Sequence, residues 1–193
     1  MEILVIDLET ANINSKQNPW SLKNTLICEI GIVNLNLDTG EIKPIFNQTC
    51  KENDCPDPHS WIFNHTDLTC DEVSNSTHFE EVKKQIQPIL ESKPVTSWNQ
   101  RFDFKHLENP LRNLVIPTKF WDPMCTLNNF LKLNFRRNGY KWLKVTEAFR
   151  YFYPNKKWKQ NHRAIDDAQI EAEIIFEAVN KWPTLKDEWK QYV

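Results

Sequence analysis

No stretch of this chain approaches the roughly 20 consecutive apolar residues of a membrane-spanning helix, which excludes a helical membrane protein. The opening residues, Met1-Glu2-Ile3-Leu4-Val5-Ile6-Asp7, carry no basic leader and no small-residue cleavage site, so an unexported, cytoplasmic protein is expected. Five cysteines are an odd number, and without an export signal they are expected to be reduced thiols. Net charge is only −2, so the chain as a whole does not advertise a nucleic-acid binder. Internal repeats, low-complexity tracts and linkers are absent as well.

What is present is an ordinary globular mix, 40% apolar and 26% charged over 193 residues. That length suits one domain over 1–193, burying roughly 70% of the unfolded chain's surface. Charge is uneven locally. From Lys132 to Arg163 there are ten basic residues (Lys132, Arg136, Arg137, Lys141, Lys144, Arg150, Lys156, Lys157, Lys159, Arg163) against the single acid Glu147. Phe135, Tyr140, Trp142, Phe149, Tyr151, Phe152, Tyr153 and Trp158 interleave with them. Basic groups beside aromatic faces suit a groove for single-stranded nucleic acid; a solvated face over core aromatics is the alternative.

In chain order, residues 2–8 form a buried strand whose alternation puts Ile3, Val5, Asp7 and Glu9 on one side. Two carboxylates so placed repel each other unless a cation lies between them. A strand near Leu26–Leu37, the turn Asp38-Thr39-Gly40 and a return over Glu41–Cys50 complete a meander. Cys50, Cys55, His59, His65 and Cys70 include zinc-ligating types, but their spacing matches no compact CxxC pairing. A loop with a helical turn around Trp61 and Phe63 is expected there. Thr77-His78-Phe79-Glu80 has the form of a capping box, with Thr77 as cap of a helix to about Glu91. Pro94–Trp98 suits a parallel strand, followed by a helix from Phe104 to about Asn113. Phe120-Trp121 suits another strand, leading into a helix near Met124–Leu133, and helix continues around Leu143–Tyr153. The last long helix has an apolar stripe of Ile165, Ala168, Ala172, Ile175, Val179 and Trp182 and ends at Pro183. Its polar start presents His162 and Asp167 from a rigid support.

Acids thus stand at strand or helix ends in three separate pieces: Asp7 and Glu9, Asp103, and Asp167 with His162. Four carboxylates can hold two divalent cations, and oxygen ligands suit Mg²⁺ or Mn²⁺. Val5-Ile6-Asp7-Leu8-Glu9-Thr10 resembles the first motif of the DnaQ-like 3′→5′ exonucleases. Asn99-Gln100-Arg101-Phe102-Asp103 resembles the second, and His162-Arg163-Ala164-Ile165-Asp166-Asp167-Ala168 the third in its histidine (DEDDh) form. The resemblance implies an α/β, RNase H-like fold: a five-stranded mixed sheet, the first three strands antiparallel, flanked by helices. It implies Asp7, Glu9, Asp103 and Asp167 as ligands of two divalent cations, with Asp166 the alternative to Asp167, and His162 as general base. Thr10 and Ala11 would approach the 3′ nucleotide through backbone groups, and Asn99 would help shape the site or touch the terminal nucleotide, with a turn-forming role after the strand as the alternative. Trp61 and Phe63 fall near where family members stack terminal bases, with core packing expected for both. The implied activity is release of nucleoside 5′-monophosphates from 3′ ends of single-stranded DNA, or of RNA in the second reading. A catalytically silent or polymerase-associated module is the third, and the filled catalytic positions argue against silence. The resemblance leaves oligomeric state open: some family members pair through basic surfaces, and the 132–163 segment offers such a surface for a homodimer.

Overall fold

The computed structural model describes residues 1–18, 21–131, 135–136, 139–140 and 142–188. Three long strands, β1 (Glu2–Asn12), β2 (Thr25–Asn36) and β3 (Ile42–Lys51), form the antiparallel meander. Gly40 turns the chain between β2 and β3 with φ of 77°, a conformation that favours glycine. Helices α1 (Trp61–His65) and α2 (Cys70–Ser74) follow, then β4 (Thr77–His78) and α3 (Phe79–Ser92). The chain crosses to β5 (Val95–Thr96), which pairs parallel with β1, and continues into α4 (Gln100–Leu107) and α5 (Pro123–Leu131). A small ribbon, β6 (Phe135–Arg136) and β7 (Gly139–Tyr140), precedes α6 (Val145–Phe152), α7 (Ala164–Lys181) and α8 (Leu185–Glu188).

The main sheet has the order β4-β3-β2-β1-β5 and is mixed and five-stranded. Because β1 and β2 are central, both faces are covered and both strands are nearly continuously apolar. Ile3 and Val5 point into a core shared with Ala168, Ala172, Ile175 and Val179 of α7. Leu4, Ile6 and Leu8 point the other way, toward Phe79, Val82, Ile86 and Leu90 of α3 and Phe104 and Leu107 of α4. A third, smaller core joins Ala11 and Cys28 to Ile62, Leu68 and Val73. Among the described residues no helix is long and apolar enough to cross a membrane.

Four local expectations are corrected. Thr77 is not a helix cap: it pairs with Cys50 as an edge strand, and the His78 ring accepts the Glu80 N–H at 3.3 Å instead. The segment at Phe120-Trp121 makes one parallel bridge, Lys119 to Val95, rather than a strand, so β4 supplies the fifth strand at the opposite edge. Helix α4 starts at Gln100 rather than Phe104, and it stops at Leu107 because Pro110 disfavours helix in the residue before it. Helix α2 lay in what looked like a loop; Thr69 accepts the Glu72 N–H to cap it, and Val73 closes the third core.

Candidate active site

Strand β1 runs past the expected residues 2–8 to Asn12, so Asp7 and Glu9 lie within it, and its alternation puts them on the α7 face with Ile3 and Val5. A register shift follows Glu9 and interrupts the ladder, which resumes with Thr10 opposite Ile27. Across the β1–β2 ladder Asp7 stands opposite Gly31, and Glu9 stands opposite Glu29. Two acids directly opposed are unfavourable, and Glu29 is only 1% exposed. Arg163 resolves the conflict with a bidentate grip on Glu29, Nε to Oε1 at 2.9 Å and to Oε2 at 3.1 Å, with Nη2 to Oε1 at 2.6 Å. Glu29 also accepts the backbone N–H of Ala164 at 2.9 Å, so an acid of β2 caps the first turn of α7.

The same turn lies directly on Gly31: a Cβ built there would stand 2.3 Å from Ala164 C and from Ile165 N. Only glycine lets the helix approach this closely, and the approach carries Asp167 over the end of β1. His162, just before the helix, has φ of 54°, in the left-handed region that non-glycine residues rarely occupy. Its Nδ1 lies 3.8 Å from Asp167 Oδ2 and 4.0 Å from Glu9 Oε1. Trp61 of α1 meets its ring edge-on, with centroids 5.0 Å apart.

Helix α4 begins after Asn99, whose carbonyl accepts the N–H groups of Phe102 and Asp103. Asp103 is therefore buried in the first turn, at the end of β5. Asp7, Glu9, Asp103, Asp167 and His162 line one cavity of about 200 Å³, together with Asn99, Gln160 and Glu171. Of the other expected residues, Asp166 does not line this cavity; it accepts from Asn161 Nδ2 at 2.7 Å. Thr10 and Ala11 pair with Ile27 and Leu26 in the ladder and do not line it either, Ala11 being buried in the third core. Phe63 packs against that core as expected, but Trp61 does not: it is 52% exposed and stacked on His65 at 4.6 Å. Among the described residues, the cluster of metal-ligating side chains is Glu9, His162 and Asp167, with donor atoms within 4.8 Å of one another. Cys50, Cys55, His59, His65 and Cys70 form no such cluster, and Cys50 is buried under β2.

Burial dominates the electrostatics of the cavity. It raises the carboxyls of Asp7 and Glu9 well above the usual range, Glu171 adding to it at Asp7 and Asp167 at Glu9. Burial also pushes Asp103 up to about 7 and Asp167 up to about 6, and it lowers His162 from 6.5. Asp167 Oδ2 accepts from Gln160 Nε2 at 2.7 Å, while its Oδ1 is buried with no hydrogen-bond partner. Buried oxygens that crowd and repel one another, one of them unpartnered, fit a hard divalent cation.

A groove of about 1080 Å³ adjoins the cavity through His162, Gln160 and Trp98. Lys144, Arg150 and Lys159 line it beside Trp61, Trp142 and Trp158, so part of the basic and aromatic segment does border the site. Lys132, Arg137 and Lys141, and the side chains of Phe135, Arg136 and Tyr140, lie outside the described residues.

Sequence reasoning missed Glu29, Gly31, Gln160 and Glu171. Glu29 and Gly31 had a signal, an acid and a glycine inside an otherwise apolar strand. Glu171 had one too, four residues after Asp167 on the helix's inward side.

The family model described as Exonuclease (RNase_T) matches residues 4–175. No curated protein matches the chain significantly. Among solved structures, the fold is similar to the nuclease domain of 3′hExo, a DEDDh family member bound to rAMP: TM-score 0.70 and 21% identity, covering 94% of this chain and 92% of that one. Cell-death related nuclease 4 gives a TM-score of 0.70 at 18% identity, over 94% of this chain and 64% of that one. Exonuclease I of E. coli, in complex with an oligonucleotide, gives 0.69 at 13% identity, over 96% of this chain and 42% of that one. With the family match over nearly its whole length and the five motif residues around one cavity, this chain belongs to the RNase_T exonuclease family.

Proposed function

We propose that the cavity hydrolyses phosphodiester bonds at the 3′ end of single-stranded nucleic acid, releasing nucleoside 5′-monophosphates. The observation that carries this reading is the convergence of Asp7, Glu9, Asp103, Asp167 and His162 on one cavity beside a basic, aromatic-lined groove. Asp7, Glu9, Asp103 and Asp167 would hold two divalent cations, Mg²⁺ or Mn²⁺. When bound, the cations neutralise charge on the scissile phosphate and acidify the attacking water. His162, held by its left-handed backbone with Nδ1 facing Glu9 and Asp167, takes the proton of that water. Asn99, at the start of α4, shapes the wall where the terminal nucleotide enters. Thr10 and Ala11 lie outside the cavity wall, and any backbone contact they make with the 3′ nucleotide would come at the register shift after Glu9. Lys144, Arg150 and Lys159 bind phosphates and the neighbouring tryptophans stack on bases, which sets no sequence preference.

Single-stranded DNA is the first substrate reading. RNA is the second, and the rAMP bound to the 3′hExo nuclease domain favours testing it. Oligonucleotides labelled at the 3′ or the 5′ end, in DNA and RNA form, single and double stranded, with Mg²⁺, Mn²⁺ or chelator, test the proposal. A 5′-labelled strand that shortens stepwise only with metal supports it. Internal cleavage, or shortening from the 5′ end, contradicts it.

A further inference from the structure

Glu171 has no part in the three motifs, yet it is 1% exposed and lines the same cavity. It sits one helical turn beyond Asp167, on the face where α7 otherwise presents Ala168, Ala172 and Ile175 to the sheet. An apolar side chain would satisfy packing there. A carboxyl instead adds to a cavity already crowded with four others, and burying such a group without a compensating charge is costly. Of the charges around Asp7, Glu171 acts on it most strongly. The cavity also holds the unpartnered Oδ1 of Asp167, so its oxygens are not satisfied by the protein alone. Glu171 also accepts the Trp98 N–H on Oε2 at 3.2 Å. That bond ties α7 to the segment leading into Asn99 and Asp103.

We infer that Glu171 is a fifth carboxylate of the cation cage, its charge strengthening the hold of Asp7, Asp103 and Asp167 on divalent cations while its bond to Trp98 fixes α7 against the start of α4. The inference rests on the proposed cation site and deepens it. It implies a chain that binds its cations more tightly than four carboxylates would.

The test is Mn²⁺ binding to the full chain without nucleic acid, followed by calorimetry and by the spin-resonance signal of free Mn²⁺. Glu171→Gln keeps an acceptor for Trp98 and removes the charge. It is expected to weaken Mn²⁺ binding roughly tenfold, as loss of one nearby charge should, and to raise the melting temperature in chelator. Glu171→Asp keeps the charge and draws it back from Trp98; it is expected to bind Mn²⁺ within about threefold of wild type. Wild-type affinity in Glu171→Gln, or equal losses in both variants, would show Glu171 to be only a brace and overturn the inference. Asp103→Asn, measured alongside, separates the two levels: if it too leaves Mn²⁺ binding intact, the cage reading itself falls.

Discussion

Gly31 and Ala164 meet backbone to backbone: a Cβ on Gly31 would overlap the Ala164 carbonyl carbon at 2.3 Å. Gly31 is also the cross-strand partner of Asp7, so this contact sets how far α7 stands from the first acid of the site. Gly31→Ala must push the start of α7 away or distort β2. The expected cost is about 2 kcal/mol or more, as for overpacked cores. Activity should fall by a larger factor than stability alone accounts for, since small displacements of catalytic groups are costly. Thermal melts and initial rates on the same preparation check this. Wild-type activity in Gly31→Ala would mean that the helix start does not position the site.

The Glu29–Arg163 pair is the second anchor. Arg163→Ala leaves the Glu29 charge buried opposite Glu9 and is expected to destabilise by about 3 kcal/mol. Replacing both, Glu29→Gln with Arg163→Met, should recover a substantial part of that loss, because the penalty lies in the stranded charge. A double-mutant cycle on chemical denaturation measures the coupling.

Stability should depend on pH and metal together. Asp103 and Asp167, raised by burial to about 7 and about 6, hold protons in the folded chain that the unfolded chain releases near pH 4. Their contribution is complete below about pH 4 and is lost as pH rises through about 6 to 7. In chelator the melting temperature should therefore fall between about pH 5 and pH 8. Mg²⁺ should restore it at the upper end, since a ligand of the folded state alone stabilises that state. Asp103→Asn should flatten both effects. A metal-free protein more stable at the higher pH would contradict the assigned directions.

His162 is lowered from 6.5, first by burial and then by His65. A base must be neutral to act, so the rate should rise with pH along a limb centred below 6.5 and level off above it. His162→Ala should cost about 10²–10⁴-fold and lose that limb. A limb centred above 6.5, or one surviving in His162→Ala, would assign the proton transfer elsewhere.

Much of this was legible in the sequence, for local reasons. Asp7 and Glu9 declare their shared face by period two, and the stripe through Ala168, Ala172 and Ile175 declares a buried helix that presents Asp167. Features that depend on which strand lies beside which were not legible. That Glu29 would face Glu9 is a matter of register, and Arg163 is visible as its partner only once β2 and α7 meet. Trp61 was expected in the core; its neighbours Ile62 and Phe63 take that role, leaving it exposed beside His162. Thr77 had the spacing of a cap, yet pairing with Cys50 claimed its backbone first.

The most direct test follows a 5′-labelled single strand through time with wild-type protein and with Asp103→Asn, each in Mg²⁺ and in chelator. One-nucleotide shortening and 5′-mononucleotide release should occur only with wild type and Mg²⁺. Full Mg²⁺-dependent shortening by Asp103→Asn would contradict the claim that these carboxylates hold the catalytic cations.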